Sequence, residues 1–219
     1  MTRPNGHTVD SVSQGDVISQ DGSNTGHIKD RVSKGMGQMN TVMNLLKTVS
    51  FGSRYFEIAV TLREAHLING MLTSTDILYG LRNKEIEELE EVDKLLIRSI
   101  LNAPVSFCIE SFYLELGLTL IRIILKSIRI AYYHYLVNLN KNEMLHKFFE
   151  AQYKYPGKVV EDLEDFGIPQ DFTNMKSKSK FAFTRLLIIK TKEYTLDQLL
   201  AMKSKHSTMD NLMYTASSK

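Results

Sequence analysis

Four residues of one predicted helix have the types and the spacing to bind nucleic acid. Arg122, Lys126, Arg129 and Tyr133 follow one another at intervals of four, three and four, which places them on one face of an α-helix. Cations on one face can contact phosphate oxygens, and a tyrosine ring can stack on a base. We call this set the basic stripe. The alternative interpretation is a solvated helix face whose long side chains cover apolar surface.

Two further sets of cations are candidates. Lys34 and Arg63 are candidate nucleic-acid-binding residues, together with Lys29 and Arg31, which lie just before Lys34. The segment from Lys176 to Lys205 carries eight Lys or Arg residues against two acids. The basic end of such an uneven charge distribution can contact a polyanion.

No group of residues predicts catalysis. Nucleotide polymerisation needs carboxylates that hold two metal ions about 3.5–4 Å apart, and the sequence has no Asp-Asp pair. Asp16, Asp21 and Asp30 are close in sequence, but they fit a strand end, a turn and a helix surface. Cys108 is the only cysteine, which excludes an internal disulfide and a Cys-based zinc site. We therefore predict no catalytic residue, no metal site and no cofactor in this chain.

The elements that position these residues are predicted to be helices. The densest apolar run, Thr119 to Asn138, is apolar on most of its circumference and needs neighbours on several sides. The sequence therefore predicts an all-α fold, an irregular bundle of six to eight helices around this central helix, with at most one short strand near Val17. The basic stripe is predicted to reach solvent. The apolar side opposite it holds Leu120, Ile124, Ile128, Ala131 and Tyr135.

Length and composition fit one helical domain. The chain has 219 residues, 43% of them hydrophobic, and a net charge of +2, so no global field demands a nucleic-acid partner. We predict a disordered segment over residues 1–14, a helical domain over 15–205 and a flexible tail over 206–219. The sequence shows no apolar signal segment and no uninterrupted apolar run of membrane-spanning length. It predicts an intracellular protein, nuclear or cytoplasmic, that is not secreted and has no membrane partner.

An ordered series of short phrases runs through the chain and is similar to a known family. In chain order the phrases are Gly15-Asp16-Val17-Ile18-Ser19, Asp21-Gly22, Ile28 and Arg31 ahead of Lys34-Gly35, Phe51-Gly52, Tyr55-Phe56-Glu57, Leu62-Arg63, Glu85-Ile86, Leu89-Glu90-Glu91-Val92-Asp93, Ala103-Pro104, Ile109-Glu110 and Tyr113-Leu114-Glu115-Leu116-Gly117, leading to Arg129. The series resembles the C-terminal part of reverse transcriptases from non-LTR, LINE-like retrotransposons, in the region after the polymerase palm. The resemblance covers roughly residues Gly15 to Tyr214.

The resemblance implies a thumb-like and post-thumb helical region, which in such enzymes packs against the palm and grips the template–primer backbone. The parent RNA-directed DNA polymerase uses Mg²⁺, but this chain alone is predicted to be inactive. The implied partners are nucleic acid, bound weakly through the backbone of a duplex or RNA–DNA hybrid, and the palm region of a reverse transcriptase. The sequence departs from the family at Ser13-Gln14, where a Tyr-Leu pair is usual, and has no palm, fingers or endonuclease counterpart.

These observations leave three hypotheses of function. The first is a fragment or remnant of a retrotransposon reverse transcriptase that lacks the catalytic palm and retains sequence-independent binding to the template–primer backbone. The alternative is a non-enzymatic helical protein–protein interaction module, with Glu85–Leu101 or the helix at Tyr55–Ala65 presenting apolar surface for self-association. The third is a polymerase assembled in trans with a palm from another chain.

Overall fold

The fold is all-α, as predicted, and it divides into two compact units, Met1–Val105 and Ser106–Lys219. The computed structural model describes residues 11–13, 16–18, 24–52, 54–73, 81–104, 108–139, 156–169 and 179–217. The sequence predicts a single helical domain over 15–205, whereas each of the two units has its own set of packed helices. Residues 1–10 and 14 of the predicted disordered segment lie outside the described residues.

The first unit opens with two short strands and continues with helices. Strands β1 (Ser11–Ser13) and β2 (Asp16–Ile18) pair antiparallel, with Val12 opposite Val17. The structure thus has one strand more than predicted, and Ser11–Ser13 form a strand where the sequence predicts disorder. The helices of this unit are α1 (Thr25–Leu46), α2 (Tyr55–Leu62), which continues through a π-helical segment (Arg63–Ile68) into α3 (Asn69–Leu72), and α4 (Asn83–Leu101).

The core of the first unit forms where α1 crosses α3 and α4. Gly35 lies at this crossing, where a Cβ atom would come within 2.9 Å of Met71 Sδ and 3.2 Å of Val92 Cγ1. The absence of a side chain therefore allows the close approach of α1. Leu89, Val92 and Leu96 of α4 are buried in this core. The hypothesis that the apolar face of Glu85–Leu101 is a docking surface is therefore wrong, because the unit itself covers that face.

The second unit holds the predicted central helix. Its helices are α5 (Glu110–Glu115), α6 (Ile121–Val137), α7 (Pro156–Asp165) and α8 (Lys180–Ser217). Helix α6 contacts α7 and α8, and α8 also contacts α5. Helix α8 extends over most of the segment predicted as a flexible tail. None of the helices in the described part of the chain combines the length and the hydropathy that a membrane span requires.

Two glycines end short helices of the second unit. Gly117 follows α5 with φ +63°, and the N–H of Leu118 donates to the carbonyl of Tyr113 at 2.8 Å. Gly167 follows α7 with φ +59°, and the N–H of Ile168 donates to the carbonyl of Leu163 at 2.9 Å. Both are Schellman ends, in which glycine adopts the left-handed conformation at low cost.

Candidate functional site

The basic stripe runs from solvent into the core of the second unit. Arg122, near the start of α6, is exposed, and Lys126 is partly buried. Arg129 is only 5% exposed and Tyr133 only 6%. The prediction of a solvent-facing stripe is therefore wrong for Arg129 and Tyr133, whose positions place them out of reach of an external phosphate or base.

Arg129 is buried because helix α7 supplies a matching carboxylate. Its Nε donates to Asp162 Oδ2 at 2.8 Å, and its Nη2 donates to Asp162 Oδ1 at 3.1 Å. This two-bond arrangement matches the fork of the guanidinium to the two carboxylate oxygens. A buried charge without such a partner would be strongly destabilising, so the pair fixes the position of α7 on α6.

Lys126 makes a second ion pair one turn closer to solvent. Its ammonium donates to Asp165 of α7, and its Nζ lies 5.2 Å from the centre of the Tyr194 ring of α8. Partial burial opposes the charge, but the hydrogen bond to Asp165, together with the charges of Tyr194, Asp165 and Asp162, outweighs it and raises the pKa of Lys126. The ammonium is thus stabilised by contacts inside the unit.

The orientation of α6 differs from the predicted one. Ala131 and Tyr135 are exposed, although they belong to the side that the sequence assigns to the core. On another side, the ring of His134 stacks on Phe183 of α8 at 3.8 Å. Because α6 is apolar on most of its circumference, apolar burial alone does not fix its rotation. The ion pairs to α7 fix the rotation of α6, because only the side with Lys126 and Arg129 can make them.

The candidate residues of the first unit are also engaged within it. Arg63 is 1% exposed, and its Nε and Nη2 donate to the two carboxylate oxygens of Asp93 at 2.7 and 2.6 Å. Arg63, which the sequence predicts to bind nucleic acid, is therefore out of reach of an external phosphate in this fold, because the guanidinium is sealed inside the unit. Lys34 lies on the surface of α1 and forms an ion pair with Asp30 at 2.8 Å, one turn away. Lys34 remains a candidate for an external contact.

The described part of the chain contains no group of three histidine, cysteine or acidic side chains placed to hold a metal ion. The acids that organise the second unit, Asp162 and Asp165, are matched by Arg129 and Lys126. The surface cations of the predicted sets that the structure describes include Arg122 and Lys34, which lie in different units.

Sequence reasoning missed the acidic partners of the buried arginines. Asp93 lies four residues after Leu89 and three before Leu96, which places it on the apolar face of α4. An acid on an apolar helix face is a signal of a buried ion pair. Asp162 and Asp165 are three residues apart, as are Lys126 and Arg129. This equal spacing is the second signal that was available.

No protein-family model, no curated protein and no solved structure matches this chain.

Proposed function

We propose that this chain is the thumb-side and post-thumb region of a non-LTR retrotransposon reverse transcriptase, without the catalytic palm, and that it binds the nucleic-acid backbone independently of sequence. The ordered series of family-like phrases is the observation that carries this proposal. The surface cations of both units are consistent with it, since backbone binding depends on positive charge rather than on a shaped pocket.

The positions of the phrase residues in the fold support a shared framework. Leu62-Arg63 and Val92-Asp93, which belong to two separate phrases, supply the two halves of a buried ion pair. Gly35 belongs to another phrase and lies where α1 packs closely against Met71 and Val92. These three phrases therefore fall on residues that determine how helices pack. A resemblance carried by such residues favours a common fold more than a common catalytic site.

The exposed cations indicate which side chains would meet a phosphate backbone. Arg122, Lys29 and Lys34 are exposed members of the predicted sets, and Arg185 and Lys192 add two exposed cations on α8. All five are long side chains at the surface of helices, where they can follow a backbone without reading bases. Arg63 and Arg129, in contrast, are paired with aspartates inside their units.

Salt-dependent binding of a labelled RNA–DNA hybrid tests this proposal. We expect fluorescence anisotropy to detect binding at low salt, equally for two hybrids of different sequence, with log K falling linearly with log salt concentration. Arg122→Glu and Lys34→Glu should each weaken binding and reduce the salt slope by about 1. Lys158→Glu is the matched control, since Lys158 is an exposed lysine that pairs with Glu161 on α7.

Three results would overturn the proposal. The first is no binding at low salt, and the second is an affinity that does not change with salt. The third is an equal loss in Arg122→Glu, Lys34→Glu and Lys158→Glu, which would indicate a response to net charge alone.

The second candidate function is the helical interaction module. Of the ten large hydrophobic side chains that are exposed in the described part of the chain, five lie on α8, namely Phe181, Ile188, Ile189, Leu196 and Leu200. Single exposed apolar residues are ordinary, whereas a concentration on one helix face indicates a contact surface. The surface of this candidate therefore lies on α8 and not on Glu85–Leu101.

A further inference from the structure

Three aromatic rings form a cluster at the surface of the first unit, where α1 ends and α2 begins. The ring of Phe51 lies 4.9 Å from that of Tyr55 and 6.0 Å from that of Phe56, and the rings of Tyr55 and Phe56 are 5.5 Å apart. We call these three residues the aromatic cluster. Phe51 is 80% exposed, the largest fraction for a large hydrophobic side chain in the described part of the chain. The cluster therefore presents a ring to solvent.

The neighbours of Phe51 hold its ring in place. The centroid distances to Tyr55 and Phe56 are those of favourable aromatic pairs, and the contact with Phe56 is edge-on, with the ring planes at 79°. The N–H of Tyr55 donates to the carbonyl of Gly52 at 3.0 Å, and this turn brings Phe51 against the start of α2. Tyr55 and Phe56 are half-buried, so they connect the exposed ring to the fold. A ring that is oriented before binding loses little conformational entropy when it stacks on a ligand.

The segment beside the aromatic cluster is basic. The residues that join α1 to α2 include two cations, Lys47 and Arg54, and no acid. Both cations are exposed, and Lys47 uses one of its three donors on Asn44 Oδ1 at 3.2 Å. Glu57 is the next acid along the chain, and two helical residues separate it from Tyr55 by about 160° around α2. The Tyr55 side of the cluster thus combines a planar apolar face with positive charge.

We propose that Phe51 stacks on an unpaired base of a nucleic-acid strand, while Lys47 and Arg54 contact neighbouring phosphates. This inference rests on the proposed function, because it takes the partner to be nucleic acid, and it adds contact with a base to contact with the backbone. Every base has an aromatic face, so stacking keeps the binding independent of sequence. A base inside a duplex is already stacked on both faces, and the site therefore requires an unpaired strand.

The surroundings of Phe51 favour a nucleotide over an apolar protein surface. Thr48 and Ser50 are exposed beside it in the chain, together with the two cations. An apolar partner would remove these polar groups from water, which costs free energy unless each finds a hydrogen bond. A nucleotide offers a planar ring next to an anionic phosphate, so it matches both parts of this surface.

Two single strands of equal charge test the stacking in the full chain. One probe is a labelled oligothymidylate, and the other is an abasic chain with the same number of phosphates. Contact with phosphates alone binds both equally. We expect the strand with bases to bind more tightly by on the order of ten-fold, because one stacked base contributes about that much. A second pair of probes built on ribose identifies the preferred strand as RNA or DNA, and a preference for bases in either pair supports the inference.

Variants of the exposed ring separate stacking from charge. Phe51→Ala and Phe51→Leu should each lose most of the preference for bases while binding the abasic chain as before, since leucine is apolar but has no aromatic face. Phe181→Ala is the matched control, because Phe181 is 79% exposed and lies on α8 in the other unit. It should keep the preference. Lys47→Glu and Arg54→Glu should weaken the binding of both probes and reduce the salt slope by about 1 each.

Phe51→Trp gives a direct signal of stacking. The chain contains no tryptophan, so the introduced indole is the sole source of tryptophan fluorescence. Stacking on a base quenches this fluorescence, whereas a contact between a cation and a phosphate elsewhere on the surface does not. We expect the oligothymidylate to quench it and the abasic chain to leave it unchanged.

Several outcomes would overturn the inference. They are equal binding of the two strands, an indole that the oligothymidylate does not quench, and loss of the preference in both Phe51→Ala and Phe181→Ala. A preference that survives in Phe51→Leu would indicate a general apolar contact instead of stacking. A chain that binds the RNA–DNA hybrid but does not distinguish the two strands lacks only the stacking site, whereas a chain that binds neither hybrid nor strand fails the proposed function itself.

Discussion

Each unit buries one arginine against one aspartate, and the two pairs differ in their distance from solvent. Arg63 and Asp93 of the first unit are 1% and 0% exposed, with both hydrogen bonds at 2.7 Å or shorter. Arg129 and Asp162 of the second unit are slightly more exposed, and their bonds are 2.8 and 3.1 Å long. In the second unit an ion pair at the rim, between Lys126 and Asp165, follows the buried pair one turn along both helices.

This difference separates cations that stabilise from cations that can bind. In the first unit the guanidinium lies wholly inside, at the start of the π-helical segment that interrupts a continuous helical rod. In the second unit the solvent exposure of the α6 cations increases from the buried Arg129 through Lys126 to the exposed Arg122. A row of cations in sequence therefore predicts a binding surface only at the end that reaches solvent.

The largest effect is expected from removing Arg63. Arg63→Met removes the guanidinium that pairs with the buried Asp93, so we expect the free energy of unfolding to fall by about 3–5 kcal/mol. Urea denaturation followed by circular dichroism measures the loss. The double variant Arg63→Met with Asp93→Leu is the control, and it should recover most of the lost stability because both charges of the buried pair are removed together. A double variant no more stable than the single one would contradict this account.

A smaller loss is expected in the second unit. In Arg129→Met, Asp162 stays close enough to Lys126 to interact with its charge, and water is nearer. We therefore expect a loss of about 2–3 kcal/mol, below that of Arg63→Met, in the same urea experiment. The test is whether Arg129→Met loses less stability than Arg63→Met. Equal losses would mean that distance from solvent does not determine how much each pair contributes.

Local sequence signals predicted the helices well. The pattern of Glu85–Leu101 corresponds to α4 (Asn83–Leu101), and that of Thr119–Asn138 corresponds to α6 (Ile121–Val137). Apolar residues at helical spacing and a glycine after the last turn are properties of a few adjacent residues, so they can be read without the fold. The division into two units could not, because it depends on which helices pack together.

The placement of the basic stripe needed information that local sequence does not carry. The spacing of Arg122, Lys126 and Arg129 is the same whether their helix face is exposed to solvent or buried. Asp162 decides between them, and it lies 33 residues from Arg129. Pairing over such a separation is fixed by tertiary packing, so the equal spacing of the acids and the cations indicates which residues can pair, and the fold decides that they do.

The smallest effect is expected at the rim, where Lys126 and Asp165 pair. Their attraction is weakened by water, so Lys126→Met should lower the free energy of unfolding by only about 0.5–1 kcal/mol.

The contribution of this pair should depend on pH. Because folding raises the pKa of Lys126, the stabilisation is fully present below the pKa of an unfolded lysine and is lost as the pH rises through the folded value. Wild type and Lys126→Met should therefore differ at neutral pH and converge in the alkaline range. A double-mutant cycle with Asp165→Asn isolates the contribution of the pair. A difference between wild type and Lys126→Met that persists in alkali would show that Lys126 acts through its packing on Tyr194 rather than through its charge.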